Sequence, residues 1–188
     1  MPDLPATPEL AVHVRPAVPD DLLGMAKVHV ETWKSTYRGI VPDQRLDTLD
    51  LEGDIAGGFG RWLADPPPGV QQFVAVTPRE EVVGFSLATP NRESADGYLG
   101  ELGSLYVSKE FQGRGAGTQL VRAAVGHLLA HQMPSMIVWV LEENPYRRFY
   151  EHLGGTFLRQ RIGTSRLGGP NLSEVCYGWK DIRSLAHA

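Results

Sequence analysis

Three glycines at alternate positions, Gly113, Gly115 and Gly117, lie in "QGRGAG" between a run that reads as a strand and one that reads as a helix. Glycine inside a helix costs about 1 kcal/mol relative to alanine, so their clustering at a helix entrance points to a need for bare backbone. A helix N-terminus carries unpaired N–H groups and the positive end of the macrodipole. Glycines let successive amides turn inward and approach an anion closely, and Arg114 adds a charged donor. The chemistry that suits Gln112, Gly113, Arg114, Gly115, Ala116, Gly117 and Thr118 is therefore phosphate or pyrophosphate binding. A P-loop fits poorly, because no lysine follows the last glycine. The G-x-G-x-G spacing also departs from the dinucleotide fingerprint G-x-G-x-x-G. A tight strand-to-helix turn without a ligand is the alternative.

A second candidate is Glu101, a carboxylate within "YLGELGSLYV". Strict alternation places it with Leu99, Leu105 and Val107 on one face of a central strand. A carboxylate there is costly unless hydrated or paired. Burial would raise its pKa and make it a better base; the alternative is a structural carboxylate paired with arginine or histidine. Tyr146, Phe149, Tyr150 and Leu153 follow i, i+3, i+4, i+7, which reads as a core stripe. Cys176 is the one cysteine and reads as a buried strand residue. His127 and His131 are spaced i, i+4 but lack the glutamate of H-E-x-x-H, so no metal site is expected.

The elements that must position these groups are legible as alternating and helical periodicities. Strands are expected at 11–18, 71–77, 81–89, 98–107, 135–141, 155–163 and 171–180. Helices are expected at 19–37, 43–50, 52–64, 117–131 and 144–154, the last with Asn144 as N-cap and Pro145 at its first position. The run 98–107, the glycine turn, the helix and the apolar strand 135–141 read as a parallel crossover. The class is mixed α/β: residues 1–10 as a disordered tail and 11–188 as a single domain.

The 188-residue chain is 42% hydrophobic and 21% charged, with a net charge of -4. That composition belongs to an ordinary globular protein. Its acidic balance argues against nucleic acid as a partner. No apolar run of about 18 residues suggests a membrane span, and the start "MPDLPATPEL" lacks the features of a signal peptide. A cytoplasmic location is the expectation.

Two segments together carry a resemblance to a known family. "LYVSKEFQGRGAGTQLV" is similar to the fourth strand, pyrophosphate turn and third helix of the GNAT superfamily of N-acetyltransferases, through its Q/R-x-x-G-x-G/A signature. "ENPYRRFYEHLGG" resembles that family's second recurrent segment, and "TWKSTYRGIVPDQRLD" resembles its first two helices. The resemblance covers about residues 12–180. It implies a mostly antiparallel central sheet with a β-α-β acyl-CoA-binding unit and flanking helices. It implies acetyl-CoA, or another acyl-CoA, as donor, without a metal. The pantetheine would lie along Leu105, Tyr106 and Val107, whose backbone would also meet the developing oxyanion, and Asn144 would contact it.

The same resemblance implies roles for side chains. Glu101 stands eleven residues before Gln112, as the base glutamate does in many members. Tyr150 would protonate the leaving thiolate, and Trp33 and Tyr37 would wall the acceptor. Gly155 departs from the family's usual phenylalanine, a space that Phe157 is expected to fill. The function implied is transfer of an acetyl group to an amine by direct attack on the thioester. A non-catalytic acyl-CoA-binding or regulatory module is the alternative. The acceptor would be a small amine or a peptide, and a homodimer is an allowed assembly.

Overall fold

Each apolar run becomes a strand of one sheet, and the glycine turn sits where that sheet opens. The computed structural model describes residues 11–51, 53, 57–93, 97–162 and 172–186. Strands β1 (His13–Pro16), β2 (Gln71–Val76), β3 (Val82–Pro90), β4 (Gly100–Val107), β5 (Met136–Leu141), β6 (Thr156–Ile162) and β7 (Ser173–Trp179) lie in the order β1-β2-β3-β4-β5-β7-β6. Every neighbouring pair is antiparallel except β4–β5. The helices are α1 (Leu22–Thr36), α2 (Asp43–Asp47), α3 (Gly58–Ala64), α4 (Ala116–Ala130) and α5 (Arg148–His152). The parallel pair is joined through α4, as the pattern predicts for a crossover.

The two faces of the sheet carry separate cores. On one, Leu120, Ala124 and Leu128 of α4 pack against Leu102, Val138, Val140 and Val175. On the other, Met25 and Val28 of α1 meet Val74 and Phe85, while Trp33 and Tyr37 meet Leu46 and Leu141. Each such buried Leu or Met contributes roughly 1.5–3 kcal/mol by leaving water. Among the described residues no helix is long and apolar enough to cross a membrane.

Two irregularities in β4 shape the site. Its register with β3 slips, Leu87 facing Ser104 and Ala88 facing Leu102, so Gly103 is an extra, unpaired residue. Such a bulge reverses the side-chain alternation beyond it. Leu102 before the bulge and Leu105 and Val107 after it all join the α4 core. Tyr106 joins the opposite face. Glu101 therefore does not share a face with Leu105 and Val107, as strict alternation suggests; the bulge moves it to the side of Tyr106. The second irregularity is a parting of strands: β4 pairs with β5 only at Gly100–Met136 and Glu101–Ile137.

Other elements are shorter than their periodicity predicts. Pro19–Asp21 forms a 3-10 turn before α1, because the Asp21 carboxylate is held by Val18 N–H (2.8 Å) and Arg15 (2.7 and 2.9 Å). The helix expected at 144–154 is only Arg148–His152. Asn144 is not its N-cap. Its Oδ1 accepts from Tyr146 N–H at 2.8 Å and its carbonyl from Arg147 N–H at 3.1 Å, and this local turn competes with helix. Tyr146 is thereby left 48% exposed, outside the core stripe that Phe149, Tyr150 and Leu153 do form. Phe157 is 54% exposed and does not fill the space at Gly155. Trp179 does: a Cβ on Gly155 would come within 2.7 Å of its ring. The expected tail 1–10 and part of the helix expected at 52–64 lie outside the described residues.

Candidate active site

The glycine turn adopts the backbone that only glycine takes freely. Gly113 has φ +69° and Gly115 has φ +87°, both left-handed. Gly115 is the N-cap of α4, and no side chain caps the helix. The first helical amide to find a backbone acceptor there is that of Gln119, on Gly115 O at 3.0 Å. Gln112 pins the turn to the end of β4 by donating from Nε2 to Val107 O at 2.9 Å. Arg114 Nε donates to Glu110 O at 3.0 Å on the surface. A Cβ on Gly113 or Gly115 would meet nothing within 4 Å, so the space before the amides is open. An anion-binding cradle fits these observations.

That cradle opens into a cavity of about 380 Å³. Leu105, Tyr106 and Val107 form one wall, the turn residues Gln112, Gly113, Gly115, Gly117 and Thr118 the end, and Tyr37, Asn144, Phe149 and Tyr150 the other side. Its length along β4, apolar wall and donor-rich end suit a pantetheine arm leading to a pyrophosphate. A smaller cavity of about 100 Å³ lies where β4 and β5 part, lined by Glu101, Ser104, Trp139, Arg161 and Glu174 among others. Tyr37, Leu105, Tyr106, Asn144 and Tyr150 line both cavities. A group at the inner end of the first thus reaches the second through the parted strands.

The residues at this junction hold one another in place. Asn144 Nδ2 donates to Tyr37 Oη at 2.9 Å, joining the end of α1 to the turn after β5. Trp33 is 3% exposed and lines neither cavity; its Nε1 donates to Tyr106 Oη at 3.1 Å from behind. Sequence reasoning did not single out Ser104, Trp139, Arg161 or Glu174. Arg161 and Glu174 are ordinary charged strand residues until β6 and β7 are paired, and no local signal marks them. Cys176 is buried on β7, and burial pushes its thiol up to about 11, which keeps it from acting as a nucleophile.

Burial pushes the Tyr150 phenol well above its ordinary range, with Tyr106 adding to the effect. Burial does the same to Tyr37. Both stay protonated across physiological pH, so Tyr150 is a proton donor there. The same shift predicts an alkaline weakness. In the unfolded chain a tyrosine ionises near ~10, whereas the folded chain keeps both protons above that pH. The unfolded state then binds fewer protons, and stability falls as pH rises, by up to about 1.4 kcal/mol per pH unit for each tyrosine. Urea unfolding at pH 9, 10 and 11 should show this loss, and Tyr150→Phe should make it shallower. An identical slope in that variant contradicts the burial of its phenol.

Comparison with known proteins agrees with this geometry. The profile of the acetyltransferase (GNAT) family matches residues 22–155. The uncharacterized N-acetyltransferase YuaI of Bacillus subtilis (strain 168) is 35% identical over 176 residues, covering 93% of this chain and 96% of its own. Solved structures share the fold. A GNAT superfamily phosphinothricin acetyltransferase from Sinorhizobium meliloti, in complex with AcCoA, has a TM-score of 0.67 at 24% identity, covering 89% of this chain and 87% of its own. A ribosomal-protein-alanine N-acetyltransferase from Brucella melitensis has a TM-score of 0.67 at 19% identity, covering 89% of this chain and 98% of its own. This chain belongs to the GNAT family of acetyltransferases, enzymes that take their acyl group from acetyl-CoA and need no metal.

Proposed function

We propose that this acetyltransferase acts on the amine of a small molecule or peptide, with the donor along β4 and the acceptor in the cavity between β4 and β5. The observation that carries this reading is the junction itself: Tyr150 and Asn144 line both cavities, whereas Glu101 lines only the second. Acetyl-CoA supplies a thioester whose carbonyl carbon bonds to the amine nitrogen while its C–S bond breaks. The chain must do the rest.

An alkyl ammonium has a pKa near ~10 and must lose a proton before it can attack. Glu101 takes that proton, directly or through water. Backbone amides of Leu105–Val107, on the part of β4 that β5 does not pair, meet the negative charge developing on oxygen. Tyr150 gives its proton to the departing sulfur. Tyr37 and Asn144 hold the acceptor side of the junction, and Trp33 supports Tyr106 from behind. The amides of 113–118 and the Arg114 charge hold the pyrophosphate.

The direct test is a panel of primary amines and peptides with acetyl-CoA, following free thiol and identifying products by mass spectrometry. Amine-dependent thiol release with a matching N-acetylated product is expected. Thiol release without such a product overturns the reading. A second test concerns Tyr150→Phe, which removes one hydroxyl and keeps the ring that packs on the core. It should slow turnover by roughly 10²-fold, the low end for a general acid, because a thiolate leaves with little help. Acetyl-CoA affinity should change modestly. A variant with normal turnover and only a lower melting temperature shows that Tyr150 serves packing alone.

A further inference from the structure

The cavity between β4 and β5 has a charge and a set of polar atoms that restrict what fits in it. Glu174 on β7 is 3% exposed, and its Oε2 accepts from Arg161 Nε at 2.7 Å. Arg161 is not Glu174's alone: its Nη1 also donates to Glu93 at 2.7 Å. Glu93 is shared in turn with Arg159, at 3.0 Å. Both guanidiniums lie over the Trp139 ring, Arg161 at 3.9 Å and Arg159 at 5.1 Å from its centroid. With Glu101 on the same wall, three carboxylates face two guanidiniums among the described residues, which leaves one net negative charge.

Two polar atoms in the lining are also buried without a hydrogen-bond partner, Ser104 Oγ and Trp139 Nε1. A buried orphan donor or acceptor is costly, and such groups are ordinarily satisfied. A Trp N–H can only donate, so its missing partner is an acceptor atom. A ligand that completes this site therefore carries one positive charge and one neutral oxygen, within a cavity of about 100 Å³.

We propose that this cavity selects a compact acceptor of net charge +1, an amino alcohol or amino amide, with Glu174 as a specificity-determining carboxylate beside Glu101. The inference rests on the reading of this cavity as the acceptor site. The ammonium lies against the carboxylates, and the neutral oxygen takes the Trp139 N–H and meets the Ser104 hydroxyl. A zwitterionic amino acid would leave the net negative charge of the site unbalanced and bring a second carboxylate against Glu174. A plain alkylamine would balance the charge but leave both orphan atoms unpaired.

The experiment is calorimetry on the full chain with coenzyme A present, using 2-aminoethanol, ethylamine and glycine as probes. The expected order of affinity is 2-aminoethanol, then ethylamine weaker by about fivefold to tenfold for the missing oxygen, then glycine. Glu174→Gln should weaken 2-aminoethanol by about tenfold and leave glycine no weaker than before. Glu174→Asp, which keeps the charge, should recover most of the loss, and serves as the variant if the glutamine protein does not fold. Ser104→Ala should bring 2-aminoethanol toward ethylamine. Glycine binding as tightly as 2-aminoethanol, no binding by any probe, or unchanged affinity in Glu174→Gln overturns the proposal. Turnover is scored separately. If 2-aminoethanol binds with these preferences but is not acetylated, the recognition stands and the reading of the cavity as an acetyl-acceptor site fails.

Discussion

Glu101→Gln should lower kcat by roughly 10²–10⁴-fold, the range for loss of a general base, while acetyl-CoA binds as before. Glutamine has nearly the same size and can still hydrogen-bond, so the local packing of β4 survives. What it lacks is the basic lone pair that accepts a proton from the acceptor's ammonium. Glu101 lines the cavity between β4 and β5 but not the donor cavity, hence the expected split between turnover and donor affinity. The rising limb of the pH–rate profile should shift to higher pH, because deprotonation then depends on the amine itself. Steady-state kinetics from pH 6 to 10, with donor affinity measured by calorimetry, checks both statements. An unchanged rate and profile would make Glu101 a structural carboxylate on the Tyr106 face of the sheet.

Gly115→Val should weaken acetyl-CoA by about tenfold or more, with the fold retained. Gly115 stands at φ +87°, and no neighbouring atom lies within 4 Å of where its Cβ would be. The damage therefore comes from the backbone and not from collision inside the protein. A left-handed conformation costs an L-residue roughly 1–2 kcal/mol, and a β-branched side chain is least tolerant of it. The turn relieves that strain by rotating, and the amides of 113–118 cease to converge on the pyrophosphate. Calorimetry with acetyl-CoA, beside circular dichroism to show an intact helix content, decides the point. Full affinity in a folded variant removes the turn from the donor site.

The order and class of most elements follow from local rules that the sequence displays openly. Strict alternation marks β2 and β3, the apolar run 136–141 marks a strand buried on both faces, and the glycines announce the start of α4. The donor end is legible for the same reason: Gln112–Thr118 is contiguous, so its chemistry is written in one short segment. Helix α5 is shorter than its periodicity suggests, because the pattern from Tyr146 to Leu153 says nothing of the Asn144 side chain, which takes Tyr146 N–H and ends the helical option locally.

The acceptor end is different. Only tertiary structure decided the face of Glu101, because one extra residue at Gly103 inverts the alternation and nothing in "GELGSLYV" shows where the pairing slips. Only tertiary structure brought Arg161 and Glu174 to that cavity, through the pairing of β6 with β7 and β7 with β5. The physical reason is that a phosphate cradle is made by consecutive amides of one turn. The acceptor cavity is instead made by side chains from four strands, whose neighbours are chosen by long-range pairing and by the parting of β4 from β5.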